Sequence, residues 1–252
     1  FVLLKLDFWG YSQPFQKIIS PKSGLFLCYN FSMKKPFTLK TLPSGLRILS
    51  IPMKNPTVTV LVLVEAGSKY ETKSQNGLSH FLEHMCFKGT TRRPHASDIA
   101  RELDTLGTQY NAFTGQEYTG YYAKGRATQT NKLIDIVSDL YLNPTLPEAE
   151  IEKEKGVICD EINMYEDMPA SKVYQLFQEL LYGNQPAGWT ISGSKEQVRK
   201  YSRKDFIKYR ESHYVASATT IVVAGDIDEK KVIAEVSRQF KNAPTTKKTK
   251  NA

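Results

Sequence analysis

Hydrophobic residues recur along the chain with two spacings, one typical of strands and the other of helices. Alternating or β-branched hydrophobic segments predict strands at Phe37–Leu42, Leu46–Pro52, Thr57–Val64, Thr108–Thr114, Tyr118–Lys124 and Thr219–Val223. Helical spacing between capping residues and glycines predicts helices at Leu78–Lys88, Ser97–Gly107, Asn131–Leu142, Ser171–Tyr182, Arg203–His213 and Lys230–Phe240, and a longer helix that begins at Pro147. The two kinds of element do not alternate strictly, which predicts an α+β fold, a mixed sheet packed by helices.

The regular pattern covers only part of the chain and divides it into three segments. Residues 1–32 contain eight aromatic residues and a single acid, Asp7, and they keep neither hydrophobic period. We expect them to be an N-terminal extension outside the fold, with an amphipathic targeting segment as the alternative. Residues 33–243 are predicted to form one domain, and residues 244–252 a flexible basic tail.

The charge of the chain is unevenly distributed, and this affects which partners are expected. The formal net charge is +8. Residues 1–60 carry eight Lys or Arg and one acid, whereas residues 61–240 carry 22 basic and 25 acidic residues. The basicity therefore lies at the ends and not on a patterned face, which argues against a nucleic-acid-binding module. No run approaches the roughly 18 apolar residues of a membrane helix, so no membrane span is expected.

Cysteine usage indicates a reducing compartment. The three cysteines, Cys28, Cys86 and Cys159, cannot all pair, and no C-x-x-C spacing occurs. We expect the cytoplasm, or alternatively an organellar matrix. Cys86 and Cys159 are predicted to be small buried residues, with thiolate ligation of a metal as the alternative.

The candidate chemistry is concentrated in His80-Phe-Leu-Glu83-His84 on a predicted helix. Residues i and i+4 share a face, so both imidazoles can reach one zinc ion, and Glu83 can contact a water beside it. The alternative is a surface helix on which two histidines pair with a glutamate. A third ligand is expected from the helix that begins at Pro147. Glu154 and Glu161 share a face of that helix, and spacing alone does not choose between them.

Two longer segments resemble the pitrilysin/insulinase family of inverted-motif zinc peptidases, which includes the mitochondrial processing peptidases. These segments are residues 77–90, around His80 and His84, and residues 154–169. The resemblance implies that Glu161, which lies 77 residues after His84, is the third ligand. It also implies that Glu154 supports the metal site without binding the metal itself. Because Asp160 is an acid directly beside Glu161, the match to the family's ligand position is ambiguous by one residue.

The resemblance also covers Asn111-Ala112-Phe113-Thr114. In the family, this segment is an edge strand beside the zinc, where a substrate peptide adds as a further strand. Asn111, Ala112, Phe113 and Thr114 are therefore expected to bind substrate, and an ordinary strand is the alternative.

The resemblance implies a zinc-dependent metalloendopeptidase that holds one zinc per chain, cleaves extended peptides or presequences, and uses Glu83 as its base. Family members are built from homologous halves, and the chain ends soon after the first, so we expect a second half or a partner subunit to be needed. The alternative is a non-catalytic partner or scaffold subunit.

Among the remaining charged residues, Lys88, Arg92 and Arg93 are expected to be solvated. His95 and His213 are expected to be surface or structural residues, because they match no metal-ligand spacing.

Overall fold

A computed structural model of the chain describes residues 36–245. The predicted extension over residues 1–32 and the tail from residue 246 onward lie outside the described residues. Within them, the strands are β1 (Thr38–Thr41), β2 (Arg47–Pro52), β3 (Thr57–Val64), β4 (Gln109–Thr114), β5 (Thr119–Arg126) and β6 (Thr219–Gly225). The α-helices are α1 (Leu78–Met85), α2 (Ala96–Thr105), α3 (Thr130–Leu142), α4 (Glu148–Asp167), α5 (Pro169–Tyr182), α6 (Lys195–Lys200), α7 (Arg203–His213) and α8 (Glu229–Gln239).

All six described strands form one mixed sheet in the order β1-β2-β6-β3-β5-β4. The β2–β6 pair is parallel, and the other neighbouring pairs are antiparallel. β4 lies at one edge and pairs with β5 alone among the described strands. The predicted α+β class, with a mixed sheet packed by helices, is confirmed.

The core lies against one face of this sheet because the strand residues alternate in burial. In β3, Val58, Val60, Val62 and Val64 are buried, whereas the residues between them are only half-buried. Helix α3 contacts β3 and β5, and α8 contacts β2. Helix α1 contacts the β4 edge as well as α4 and α7. The sheet and these helices therefore hold α1 beside the edge strand. None of the described helices is long and apolar enough to cross a membrane.

Two details differ from the sequence-based predictions. Helix α2 begins at Ala96 with His95 as its N-cap, two residues earlier than the predicted cap, Ser97. Helix α6 was not predicted, because its six residues bury only Val198 and show no period.

The expectation that Arg93 is solvated is wrong. Arg93 is only 6% exposed, and its guanidinium donates hydrogen bonds to Asp139 (2.7 Å) and Asp135 (2.8 Å) of α3. Arg92 also pairs with both acids but stays 42% exposed. Asp139 itself is fully buried, so the pairing offsets a desolvation cost that an isolated charge would not recover. This network fixes the loop after α1 on α3.

The entry to α1 depends on a close approach between two backbone segments. Gly77 precedes the helix at φ +96°, and a Cβ there would lie 2.5 Å from the Ser192 carbonyl oxygen. The same holds for Gly193, whose φ is +71°: a Cβ there would lie 2.3 Å from the Asn76 carbonyl oxygen. Only glycine fits this contact, so it sets where α1 starts.

Gly77→Ala should therefore destabilise the fold more than Gly107→Ala. Gly107 also has a positive φ of +64°, but its Cβ position meets nothing within 4 Å. Both changes carry the left-handed penalty of about 1–2 kcal/mol, and only the first adds a clash that costs about 1–3 kcal/mol. Urea denaturation of both variants measures the difference, and equal losses in the free energy of unfolding would contradict this account.

Candidate metal centre

The first turn of α1 is held by a buried carboxylate, that of Glu71. It accepts hydrogen bonds from the backbone N–H groups of Gly77 (2.9 Å) and Ser79 (2.7 Å), from the Ser79 hydroxyl (2.6 Å) and from Asn76 (3.2 Å). The Ser79 hydroxyl also lies 2.6 Å from the hydroxyl of Tyr209 on α7. A carboxylate is well suited to this place, since helix N-termini present unpaired N–H groups and positive potential. Glu71 thus fixes the helix that carries the two histidines.

The structure brings together His80, His84 and Glu161. The Nε2 atoms of the two imidazoles lie 3.2 Å apart, and each lies 3.6 Å from a carboxylate oxygen of Glu161 on α4. All three residues are partly buried, and their ligand atoms lie within 4.8 Å of one another. Asp160, which the register left as an alternative, is exposed, whereas Glu161 faces the imidazoles.

These distances fit a metal ion. Tetrahedral zinc ligands at about 2.0–2.1 Å from the ion are separated from one another by about 3.3 Å. The three observed separations, 3.2, 3.6 and 3.6 Å, lie on either side of that value. Two imidazoles and one carboxylate also form a typical catalytic ligand set, which leaves a fourth position for water.

The environment keeps His80 in the form that binds metals. Burial, together with a smaller contribution from the neighbouring His84, lowers the pKa of His80 to about 4. At neutral pH the His80 imidazole is therefore unprotonated, as a ligand must be. Burial also lowers the pKa of His84, but a hydrogen bond with Glu154 and the nearby Glu161 and Glu83 carboxylates outweigh it and raise the pKa.

Glu154 lies behind His84, on the side away from Glu161. Its Oε1 atom is 2.9 Å from His84 Nδ1, and its Oε2 atom is 2.5 Å from Lys88 Nζ. Although burial alone would raise the pKa of Glu154, the hydrogen bonds from His84 and Lys88 lower it. The carboxylate therefore stays ionised and directs Nε2 of His84 towards Glu161. Lys88, expected to be solvated, is instead only 25% exposed and paired.

Glu83 shares this face of α1 but stands apart from the three converging side chains. It is 9% exposed and accepts a hydrogen bond from the Thr114 hydroxyl, at the end of β4. Burial raises the pKa of Glu83, and the charge of Glu161 adds to this effect. The hydrogen bond from Thr114 and the positive potential of His84 oppose it. A carboxyl group with a raised pKa is a better proton acceptor at neutral pH than an ordinary one.

The four residues predicted to bind substrate lie on the edge strand β4. Asn111 and Phe113 are exposed on one side, and Ala112 and Thr114 point to the other, half-buried side. Only Thr114 reaches the metal centre, through Glu83. The second edge of β4 carries no strand among those described, so its backbone groups are available for pairing.

Sequence reasoning missed Glu71 and the contact between Thr114 and Glu83. No sequence signal identifies Glu71, because it is an isolated acid in an irregular segment whose role depends on folding back over the start of α1. The buried state predicted for Cys86 and Cys159 is confirmed, and neither belongs to the metal-ligating group among the described residues.

Comparison with protein families gives two matches. Residues 47–195 match the model described as "Insulinase (Peptidase family M16)", and residues 200–252 match the model described as "Peptidase M16 inactive domain". The first match contains all the residues of the candidate metal centre.

Individual relatives and structures agree with these matches. The chain is 39% identical over 203 residues to the uncharacterized zinc protease YmxG of Bacillus subtilis, covering 79% of this chain and 49% of the relative. It is 36% identical over 207 residues to the mitochondrial-processing peptidase subunit beta of Homo sapiens, covering 82% and 42%. A protease from Helicobacter pylori has the same fold, with a TM-score of 0.79, 24% identity and coverage of 86% and 52%. The chain thus spans about half the length of the curated relatives it matches.

Proposed function

Because this chain belongs to the insulinase family, peptidase family M16, we propose that it is the metal-bearing part of a zinc-dependent metalloendopeptidase. The observation that carries the proposal is the convergence of His80, His84 and Glu161 at the spacing of zinc ligands, beside the buried carboxylate of Glu83. The names of relatives described as zinc proteases support the same chemistry.

In this proposal each side chain of the centre has a distinct task. One zinc ion per chain would polarise the scissile carbonyl and lower the pKa of a bound water. His80, His84 and Glu161 are the residues that would hold it, and Glu154 orients His84. Glu83 accepts the proton of the attacking water and delivers it to the leaving amine. The Thr114 hydroxyl donates a hydrogen bond to the Glu83 carboxylate and holds it in place.

The proposed substrates are extended peptides or presequences that pair with the free edge of β4. Main-chain pairing along residues 111–114 would give affinity with little dependence on side chains, and it would bring the peptide beside Glu83 because Thr114 ends the strand. A substrate aligned by backbone groups must be extended, which favours unfolded segments over folded proteins.

We further propose that full activity needs a second homologous domain. The edge of β4 and the metal centre are open on the described part of the chain, and the relatives are about twice as long as the matched region. Positioning a peptide between two domains can contribute several kcal/mol to lowering the barrier. Without the second domain, zinc affinity should persist while hydrolysis is slow.

A second candidate function is that of a non-catalytic partner subunit. It is favoured by the match of residues 200–252 to a domain model described as inactive. That match lies outside the segments that carry His80, Glu83, His84 and Glu161, so it weighs less than the ligand geometry. A peptide that stays intact when zinc is bound and the second domain is supplied would favour this candidate.

The purified chain should contain about one zinc ion per molecule. His80→Ala and Glu161→Gln should each reduce this to below about 0.2, because two remaining ligands bind zinc weakly. His95→Ala, which removes an exposed imidazole outside the metal-ligating group, is the matched control and should retain the metal. Elemental analysis measures the content, and full retention of zinc in both ligand variants would refute the assignment.

Glu83→Gln should keep zinc but slow hydrolysis by about 10²–10⁴-fold, because an amide does not accept the proton of water. The assay uses a fluorogenic peptide with the second domain supplied. Glu152→Gln, which changes a glutamate of α4 that is 68% exposed, is the control and should keep the parent rate. A Glu83→Gln rate within a few-fold of the parent would exclude Glu83 as the base.

Backbone N-methylation of a peptide substrate should weaken binding at every second position. A strand added to β4 directs alternate N–H groups towards it, and each lost hydrogen bond of about 1 kcal/mol raises KM about fivefold. Methylation at the positions between should have little effect. Steady-state kinetics on a set of singly methylated peptides tests this, and a uniform effect at all positions would argue against strand addition.

A further inference from the structure

Helix α5 has its apolar side turned outward, opposite to an ordinary surface helix. None of its 14 residues is buried. At about 100° per residue, the apolar residues fall on one arc of roughly 160°. They are Val173, Tyr174, Leu176, Phe177, Leu180 and Leu181, here called the α5 apolar surface. The opposite side carries Gln175 and Glu179, which line a cleft of about 380 Å³ against α4 and the loop after α5.

Exposure of these residues is high. Leu180 is 86% exposed and Val173 66%, and the other four are between 50% and 64% exposed. Together they present several hundred Å² of apolar surface, at the upper end of what monomers expose and approaching the roughly 800 Å² per partner of a standard interface. No charged residue lies on this arc. An uncharged surface rich in aromatic residues and leucine is typical of a permanent interface.

We propose that the α5 apolar surface is the docking site of the second homologous domain. The inference rests on the proposed need for that domain. The matched relatives are about twice the length of the matched region, so in them further chain is covalently linked to this fold. A linked domain has an effective concentration in the millimolar range, which favours it over a second copy of the chain.

The position of α5 explains how such docking completes the site. Only Met168 separates α5 from α4, which carries Glu161. Met164 and Tyr165, one turn beyond Glu161, are also exposed, at 49% and 43%. A domain seated on α5 therefore lies alongside the end of α4 that follows the metal centre, where it can enclose a peptide on the open side. A peptide substrate itself has the β4 edge for pairing and does not need this surface.

The test compares the labelling rate of a cysteine placed on α5 in two proteins. One is the full 252-residue chain, and the other is the chain joined at its C-terminus to the half of the Bacillus subtilis relative that it does not match. Both carry Cys28→Ser, which leaves the buried Cys86 and Cys159. Leu180→Cys is the reporter, and Lys153→Cys, on α4 with a side chain 70% exposed, is the matched control.

We expect maleimide to label Leu180→Cys rapidly in the chain alone and at least tenfold more slowly in the joined protein, with Lys153→Cys equally fast in both. Equal rates at Leu180→Cys would overturn the proposal. Slow labelling in the chain alone would also overturn it: rates that recover on dilution would identify a second copy as the occupant, and rates that recover only when residues 1–32 are deleted would identify that segment.

A second variant separates docking from misfolding. In the joined protein, Leu180→Asp should restore rapid labelling of Val173→Cys, whereas Lys153→Asp should not. Leu180 is so exposed that the change leaves the fold intact, and zinc content checks this. Protection of α5 in a joined protein that binds no zinc would count against the proposed function but leave the docking site standing, so the two proposals fail separately.

Discussion

The candidate centre depends on the contact between α1 and α4, which cross so that two imidazoles of one helix meet a carboxylate of the other. His84 is the link in this contact. Its Nε2 atom faces Glu161, and its Nδ1 atom is hydrogen-bonded to Glu154. Two carboxylates seven residues apart on α4 therefore contact one side chain of α1. Lys88 pairs with the second oxygen of Glu154, so the contact between the two helices continues past the end of α1. The relative position of the two helices is therefore set by charge-assisted hydrogen bonds as well as by apolar packing.

This arrangement concentrates negative charge at the α1 interface. Glu83, Glu154 and Glu161 surround two histidines, and Glu71 is buried at the start of the same helix. Burying carboxylates is costly unless each is paired or hydrogen-bonded. Glu71 accepts four hydrogen bonds and Glu154 has two partners, His84 and Lys88. Among the described residues, Glu83 accepts one hydrogen bond, from Thr114, and Glu161 has only the two imidazoles, each 3.6 Å away. The least satisfied carboxylates are thus those with a proposed role beside the metal, which is where a divalent cation would lower the electrostatic cost most.

Much of the fold could be predicted from residue patterns, because strand β3 and helices α1, α3 and α8 each have a clear hydrophobic period. The histidine pair and Glu83 follow from helical geometry alone. The choice of Glu161 over Glu154 did not, since both share a face of α4, and it needed the family resemblance. Long-range contacts were beyond reach for a physical reason. Glu71 folds over residues 76–79, and Arg93 contacts Asp135 and Asp139, more than 40 residues away. Neither contact produces a repeating pattern in the sequence that could predict it.

Helix α5 illustrates the same limit in the opposite sense. Its period predicted a helix correctly, and the natural inference from an amphipathic helix is that its apolar side faces the core. In the structure the polar side faces inward and the apolar side faces solvent. A hydrophobic period predicts that one face of a helix will be buried, but it does not identify the surface that buries it. The described residues do not bury that face of α5, and the docking proposal assigns its partner to a surface outside them. Under the docking proposal the apolar arc of α5 marks a neighbour outside the described residues, just as under the proposed function the convergence of His80, His84 and Glu161 marks a metal ion.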